Sequence, residues 1–174
     1  MNTANKLTLL RVIMIPVFMV ALYWEFPFHK IAALIIFILA CVTDFIDGYV
    51  ARHFDQTTDF GKFMDPLADK LLVISAMLWF VEAGQMAAWV VLVVLAREFA
   101  VSGLRMVAGP KGVVIAAAWS GKIKTAATMV CICIMLVPIP AVLNSICEAV
   151  ILITTVVSGV EYFVKNRAVF SGTV

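Results

Sequence analysis

Asp44, Asp47, Asp65 and Asp69 fall within 26 residues of one another, each inside or beside an apolar stretch. An ionised carboxylate near hydrocarbon is costly, so such a group faces a partner, a cavity or an ion. The four acids offer only oxygen, with no His or Cys joining them, and oxygen ligation suits Mg²⁺ or Mn²⁺ rather than zinc. Four carboxylates exceed what a single Mg²⁺ that keeps its waters requires, and suit two ions sharing ligands. A two-metal site holds the attacking and leaving oxygens of a phosphoryl group in line. A carboxylate beside the acceptor can also take its proton. The chemistry these residues point to is phosphoryl or phosphatidyl transfer at a membrane surface.

The acids must be positioned by helices. At about 100° per residue, Asp44, Asp47, Gly48, Ala51 and Arg52 share an arc of roughly 140° on one helix. Gly61, Asp65 and Asp69, each four residues apart, form a narrow stripe on the next. The short link at residues 54–58 predicts antiparallel neighbours whose stripes face each other. Gly48 and Gly61 leave room for a bulky group to approach the acids, and Arg52, one turn past Gly48, is placed to grip a phosphate. Pairing with Arg52, Lys62 or Lys70 would explain any single aspartate, but not four on facing stripes with both glycines. Asp55 and Asp59 read as solvated loop or helix-capping residues. Pro66 is expected to loosen or kink the second of these helices.

Composition supplies the setting. The 174 residues are 64% apolar, with a mean hydropathy of +1.07, far above the ~45–50% apolar content of soluble domains. An all-α integral membrane protein follows, with residues 1–174 as one domain. Apolar periodicity and breakers predict six transmembrane helices at about 5–24, 30–53, 59–82, 86–108, 118–137 and 140–163. Residues 7–24 contain Arg11 within the apolar run and lack a small-x-small exit, so they read as a retained helix rather than a cleaved signal. Cys41, Cys131, Cys133 and Cys147 form no C-x-x-C pair and read as reduced core residues.

A net charge of +2 gives no reason to invoke nucleic acid. The distribution of charge is more telling. With six spans, Lys6, Arg11, Arg52, Lys62, Arg105, Lys111, Lys122, Lys124, Lys165 and Arg167 gather at one side, against Lys30, Glu25 and Glu82 at the other. The positive-inside rule places that basic side, both termini and the aspartates in the cytoplasm, at the inner or plasma membrane.

The pattern Asp44-x-x-Asp47-Gly48-x-x-Ala51-Arg52, eight residues, then Gly61-x-x-x-Asp65-x-x-x-Asp69 resembles the signature of the CDP-alcohol phosphotransferase family at every fixed position. The resemblance implies that family's six-helix membrane fold. It implies metal ligation by Asp44, Asp47 and Asp65, with Asp69 touching the second ion and serving as base on the acceptor hydroxyl. Gly48 and Arg52 would contact the CDP-linked donor, and Thr58 matches a small hydroxyl position near the nucleotide. The implied reaction is attack by an alcohol on the lipid-side phosphorus of a CDP-linked lipid, releasing CMP. A homodimer is also implied.

Outside the signature, Asn5-x-x-Thr8-x-x-Arg11, the stretch from Arg97-Glu98 to Arg105, and Gly121-Lys122-Ile-Lys124-Thr125 resemble family members that join CDP-diacylglycerol to sn-glycerol 3-phosphate. A cluster of Arg105, Lys111, Lys122 and Lys124 agrees with an anionic acceptor, and Arg105 is assigned to its phosphate. Lys122 and Lys124 point about 200° apart on a regular helix, so one of them faces the site and the other meets anionic headgroups. Glu98 either neutralises an arginine on its own helix or belongs to the site. Asn5 and Thr8 either read the cytidine ring or cap the first helix. Trp24, Trp79, Trp89 and Tyr162 fit an interfacial aromatic belt, His29 and His53 read as solvated surface residues, and Glu148 and Glu161 as bundle or interface contacts. The rivals are the same chemistry with inositol phosphate, serine or another polyol, and a divalent-cation transporter. A transporter has no need of Gly48, Ala51 and Arg52 at these offsets.

Overall fold

The computed structural model describes the backbone of residues 3–24, 26–53, 59–109, 115 and 118–167, and the side chains of these except at 3–7, 45, 47–53, 59–63 and 65. All regular structure among the described residues is α-helical: α1 Thr3–Tyr23, α2 His29–His53, α3 Asp59–Glu82, α4 Ala88–Ala108, α5 Trp119–Met135 and α6 Ala141–Lys165. Each bound lies within two residues of the expectation from periodicity and breakers. α1 runs on through Pro16, and α3 through Pro66. The turn after α3 uses Gly84 at φ +69°, a left-handed conformation that glycine adopts without steric penalty.

Two compact units are resolved by their contacts. The first comprises residues 1–82 with 132–138, the second 83–131 with 139–174. In the first, α1 packs along both α2 and α3, and those two touch each other far less among the described residues. The facing stripes expected at 44–52 and 61–69 lie mostly outside the described side chains; among the described residues α1 packs on both helices. Helical spacing explains the core. Ala33, Phe37 and Ala40 are wholly buried on α2, as are Ala68, Ala76 and Phe80 on α3, and the alanines let backbones approach closely. Phe18 of α1 meets Phe37 with ring centroids 5.8 Å apart. Stepping four residues from Ala40 reaches Asp44, and three from Thr8 reaches Arg11. The polar site therefore lies at one end of the same stripes that build the core.

In the second unit α4 packs against α6. Cys147, Ile151, Thr155, Ser158 and Tyr162 bury one stripe of α6, and Val101, Leu104 and Ala108 of α4 cluster with Tyr162. Tyr162 is therefore a core residue at 2% exposure, not part of an aromatic belt, and Trp79 is likewise buried, with the Lys30 ammonium 5.3 Å from its ring centroid. Trp24 and Trp89 are exposed. The four cysteines are free. Glu148 accepts a hydrogen bond from the backbone N–H of Ala87 at 2.8 Å, capping the start of α4.

Among the described residues, α6 is long and apolar enough to cross a membrane, and Thr8–Tyr23 is a shorter apolar stretch. Charged residues interrupt the apolar runs of α3 and α4, namely Asp65, Asp69 and Lys70 on one and Arg97, Glu98 and Arg105 on the other. The outward surface is nonetheless apolar on every helix: Val20, Ile35, Leu78, Phe99, Val130 and Val157 are all exposed. Exposed large apolar side chains on this scale mark contact with a membrane or partner rather than with water.

Candidate active site

α1 delivers Arg11 to the acids. Its guanidinium is 0% exposed, with NH2 2.9 Å from Asp44 Oδ1 and NH1 3.9 Å from Asp69 Oδ1. Asp44 belongs to α2 and Asp69 to α3, so one guanidinium collects carboxylates from two helices. Both carboxylates are about one-third exposed, at 32% and 37%, and so remain open to a ligand from one side. A buried guanidinium persists where nearby carboxylates offset its lost hydration. Thr8, one turn before Arg11, is also buried. It lies in the interior of a helix that begins at Thr3, so it does not cap α1, and neither does Asn5.

The rest of the signature is placed by backbone alone. Asp47, Gly48 and Arg52 lie on α2, Gly61 and Asp65 on α3, and Asn5 on α1, with their side chains outside the described residues; Thr58 is outside them entirely.

The second unit holds a network of opposite charge balance. Glu98 Oε1 accepts from Arg97 NH1 at 2.9 Å and from Lys124 Nζ at 2.7 Å. All three side chains are largely buried, at 14%, 12% and 7% exposure. Arg97 also donates to Ser158 Oγ on α6. Two glycines make the slot in which Arg97 lies: a Cβ at Gly159 would sit 3.3 Å from Arg97 Cγ, and one at Gly121 would sit 3.5 Å from NH2. Lys124 turns inward. Lys122 is exposed, with its ammonium 4.9 Å from the Trp119 ring centroid. Arg105 is held by Tyr162: its Nε donates to the phenol oxygen at 2.7 Å, and its guanidinium lies 5.6 Å from the ring centroid. Glu98 is therefore shared by Arg97 and Lys124, while Arg105 donates to a phenol oxygen.

Five residues of these clusters were not singled out as site residues by their types and spacing: Arg11, Arg97, Ser158, Gly159 and Tyr162. For Arg11 the signal was present, since residues 8, 11, 18 and 22 fall on one helical face and all are buried. A cation on the core face of an apolar helix requires an acid opposite it. Ser158 and Tyr162 carry no such mark, because an uncharged polar residue on a buried stripe reads the same whether or not it serves a cation.

Helices throughout the described residues, with this carboxylate signature, define a class, and comparison with known proteins agrees. The chain belongs to the CDP-alcohol phosphatidyltransferase family, whose profile matches residues 1–160. It is 43% identical to the CDP-diacylglycerol–glycerol-3-phosphate 3-phosphatidyltransferase of Bacillus subtilis, over 95% of each chain. It is 39% identical to the probable phosphatidylglycerophosphate synthase of Mycobacterium tuberculosis H37Rv, over 94% of this chain and 81% of that one. With the CDP-diacylglycerol–glycerol-3-phosphate 3-phosphatidyltransferase of Escherichia coli K12 the identity is 43%, over 74% of this chain and 73% of the relative.

Proposed function

We propose that this chain transfers a phosphatidyl group from CDP-diacylglycerol to sn-glycerol 3-phosphate, giving phosphatidylglycerophosphate and CMP. The observation that carries this reading is the gathering of Asp44 and Asp69, the first and last acids of a complete family signature, around one buried guanidinium. Relatives of about 40% identity that bear the corresponding names support the acceptor.

In the reaction, a hydroxyl oxygen of glycerol 3-phosphate bonds to the lipid-side phosphorus, the bond from that phosphorus to the CMP oxygen breaks, and CMP leaves. Asp69 takes the hydroxyl proton, as general base. Arg52 binds the diphosphate of the donor, Gly48 and Gly61 admit it close to the helices, and Thr58, Asn5 and Thr8 line the nucleotide end. Arg105 and Lys124 hold the acceptor's phosphate through charge-assisted hydrogen bonds, and Lys122 meets anionic headgroups.

Family membership implies a divalent metal, and the donor set fits one: two part-exposed carboxylates from different helices converge, and their oxygens are hard ligands. Asp44, Asp47, Asp65 and Asp69 would hold two Mg²⁺ or Mn²⁺ ions, which when bound neutralise the diphosphate and its developing charge. All six helices cross the bilayer as one catalytic domain over residues 1–174, with termini and aspartates in the cytoplasm. The apolar outward surface and the one-sided Lys and Arg distribution support this orientation. The homodimer rests on the family resemblance.

Incubating the purified protein with CDP-diacylglycerol and labelled glycerol 3-phosphate tests the reading. Labelled phosphatidylglycerophosphate is expected with Mg²⁺ or Mn²⁺ and none after chelation by EDTA. Turnover with inositol phosphate in place of glycerol 3-phosphate would overturn the acceptor assignment.

A further inference from the structure

Arg11 is wholly buried and lies against carboxylates that the metal reading assigns as ligands. Without an ion, those carboxylates, one on α2 and one on α3, would repel one another. The guanidinium reaches both from α1, the helix that packs along each. It is fixed in the chain, so its positive charge persists whether or not an ion is bound.

We propose that Arg11 is a resident counter-ion of the aspartate cluster. It draws Asp44 and Asp69 together in the metal-free protein, and its charge weakens the cluster's hold on divalent metal. The inference rests on the metal reading above. Its consequence is that the cluster binds its ions firmly only when the diphosphate of the donor adds negative charge nearby, so metal occupancy follows donor occupancy.

The test uses the full chain in detergent, without substrates. Mn²⁺ binding is followed by the resonance signal of the free ion, and thermal melting is recorded in EDTA and in Mn²⁺. A cation at this range shifts the affinity of a carboxylate for a proton by ~10-fold to 1,000-fold, and the same field acts on a metal ion. Arg11→Gln is therefore expected to bind Mn²⁺ about tenfold or more tightly than the parent. It should also melt lower in EDTA, and gain more in Tm from Mn²⁺ than the parent does. Arg11→Lys retains a cationic side chain, so its Mn²⁺ affinity should stay closer to that of the parent than the affinity of Arg11→Gln does. If Arg11→Gln can be purified only with Mn²⁺ and unfolds on chelation, the stabilising half of the proposal is upheld directly. Unchanged or weaker Mn²⁺ binding in a folded Arg11→Gln, with the same Tm gain as the parent, would overturn the proposal. A parent chain that neither binds Mn²⁺ nor melts higher with it would overturn the metal reading first, and this inference with it.

Discussion

Among the described residues, two charged groups are joined in opposite senses. On α1, α2 and α3 the Arg11 guanidinium lies against the carboxylates of Asp44 and Asp69. On α4 and α5 one carboxylate, Glu98, serves two cations, Arg97 and Lys124. Glu98 is hydrogen-bonded to both of its cations, whereas Arg11 forms ion pairs with its carboxylates at 2.9 and 3.9 Å. Under the proposed function the first would take a metal cation and the second a phosphate anion. Exposure differs in the same direction as role. The two aspartates are about one-third exposed, whereas Arg97 and Lys124 are nearly covered. Arg105, by contrast, is exposed, with its guanidinium held by Tyr162.

That contrast can be broken at its strongest point by Asp69→Asn. If Asp69 is the base, turnover should fall by ~10²-fold to 10⁴-fold, while CDP-lipid binding, measured by equilibrium dialysis, stays near that of the parent. Activity within a few-fold of the parent would remove Asp69 from its role.

Removing the minority charge from the second cluster comes next. Glu98→Gln leaves two buried cations without their carboxylate, and loss of one partner of a buried pair costs about 3–5 kcal/mol. Melting should drop accordingly. Inorganic phosphate should raise Tm more in this variant than in the parent, the anionic counterpart of the Mn²⁺ effect expected for Arg11→Gln. An identical phosphate response in both would mean the trio is structural only.

Smaller effects separate the cations from one another. Arg105→Ala and Lys124→Ala should each raise the KM for glycerol 3-phosphate by about tenfold, the worth of a charge-assisted hydrogen bond, with little change in the KM for CDP-diacylglycerol. Smallest of all, Lys122→Ala should leave both values within about twofold of the parent, as expected for an exposed lysine on a ring face. A large acceptor effect at Lys122 would reverse the inward and outward assignment on α5.

Much of this was legible before any coordinates. The six helices are readable because apolar runs end at breaks, four of the five carrying Pro or Gly, and those signals are local. Asp44 and Asp69 stood out because carboxylates beside apolar runs violate the usual pattern. Tyr162 was misread for the complementary reason: near a helix end, an aromatic that belongs to a belt and one that is buried in a core have the same sequence surroundings. Glu98 was left open between two readings because the choice depended on α5, a helix more than twenty residues away in the chain.

Residue types and spacing by themselves determined the class of chemistry: oxygen-only acids at helical offsets, with glycines and an arginine, specify a family signature wherever they occur. They also determined where helices begin and end, since both depend on neighbours a few positions apart. Only the tertiary structure decided which cation meets which acid. Arg11 joins Asp44 and Asp69, Lys124 rather than Lys122 joins Glu98, and Arg105 turns to Tyr162 instead of to Glu98. Coulomb attraction between side chains falls off with distance and depends on burial, and those quantities are set by the packing of separate helices, which no local pattern records.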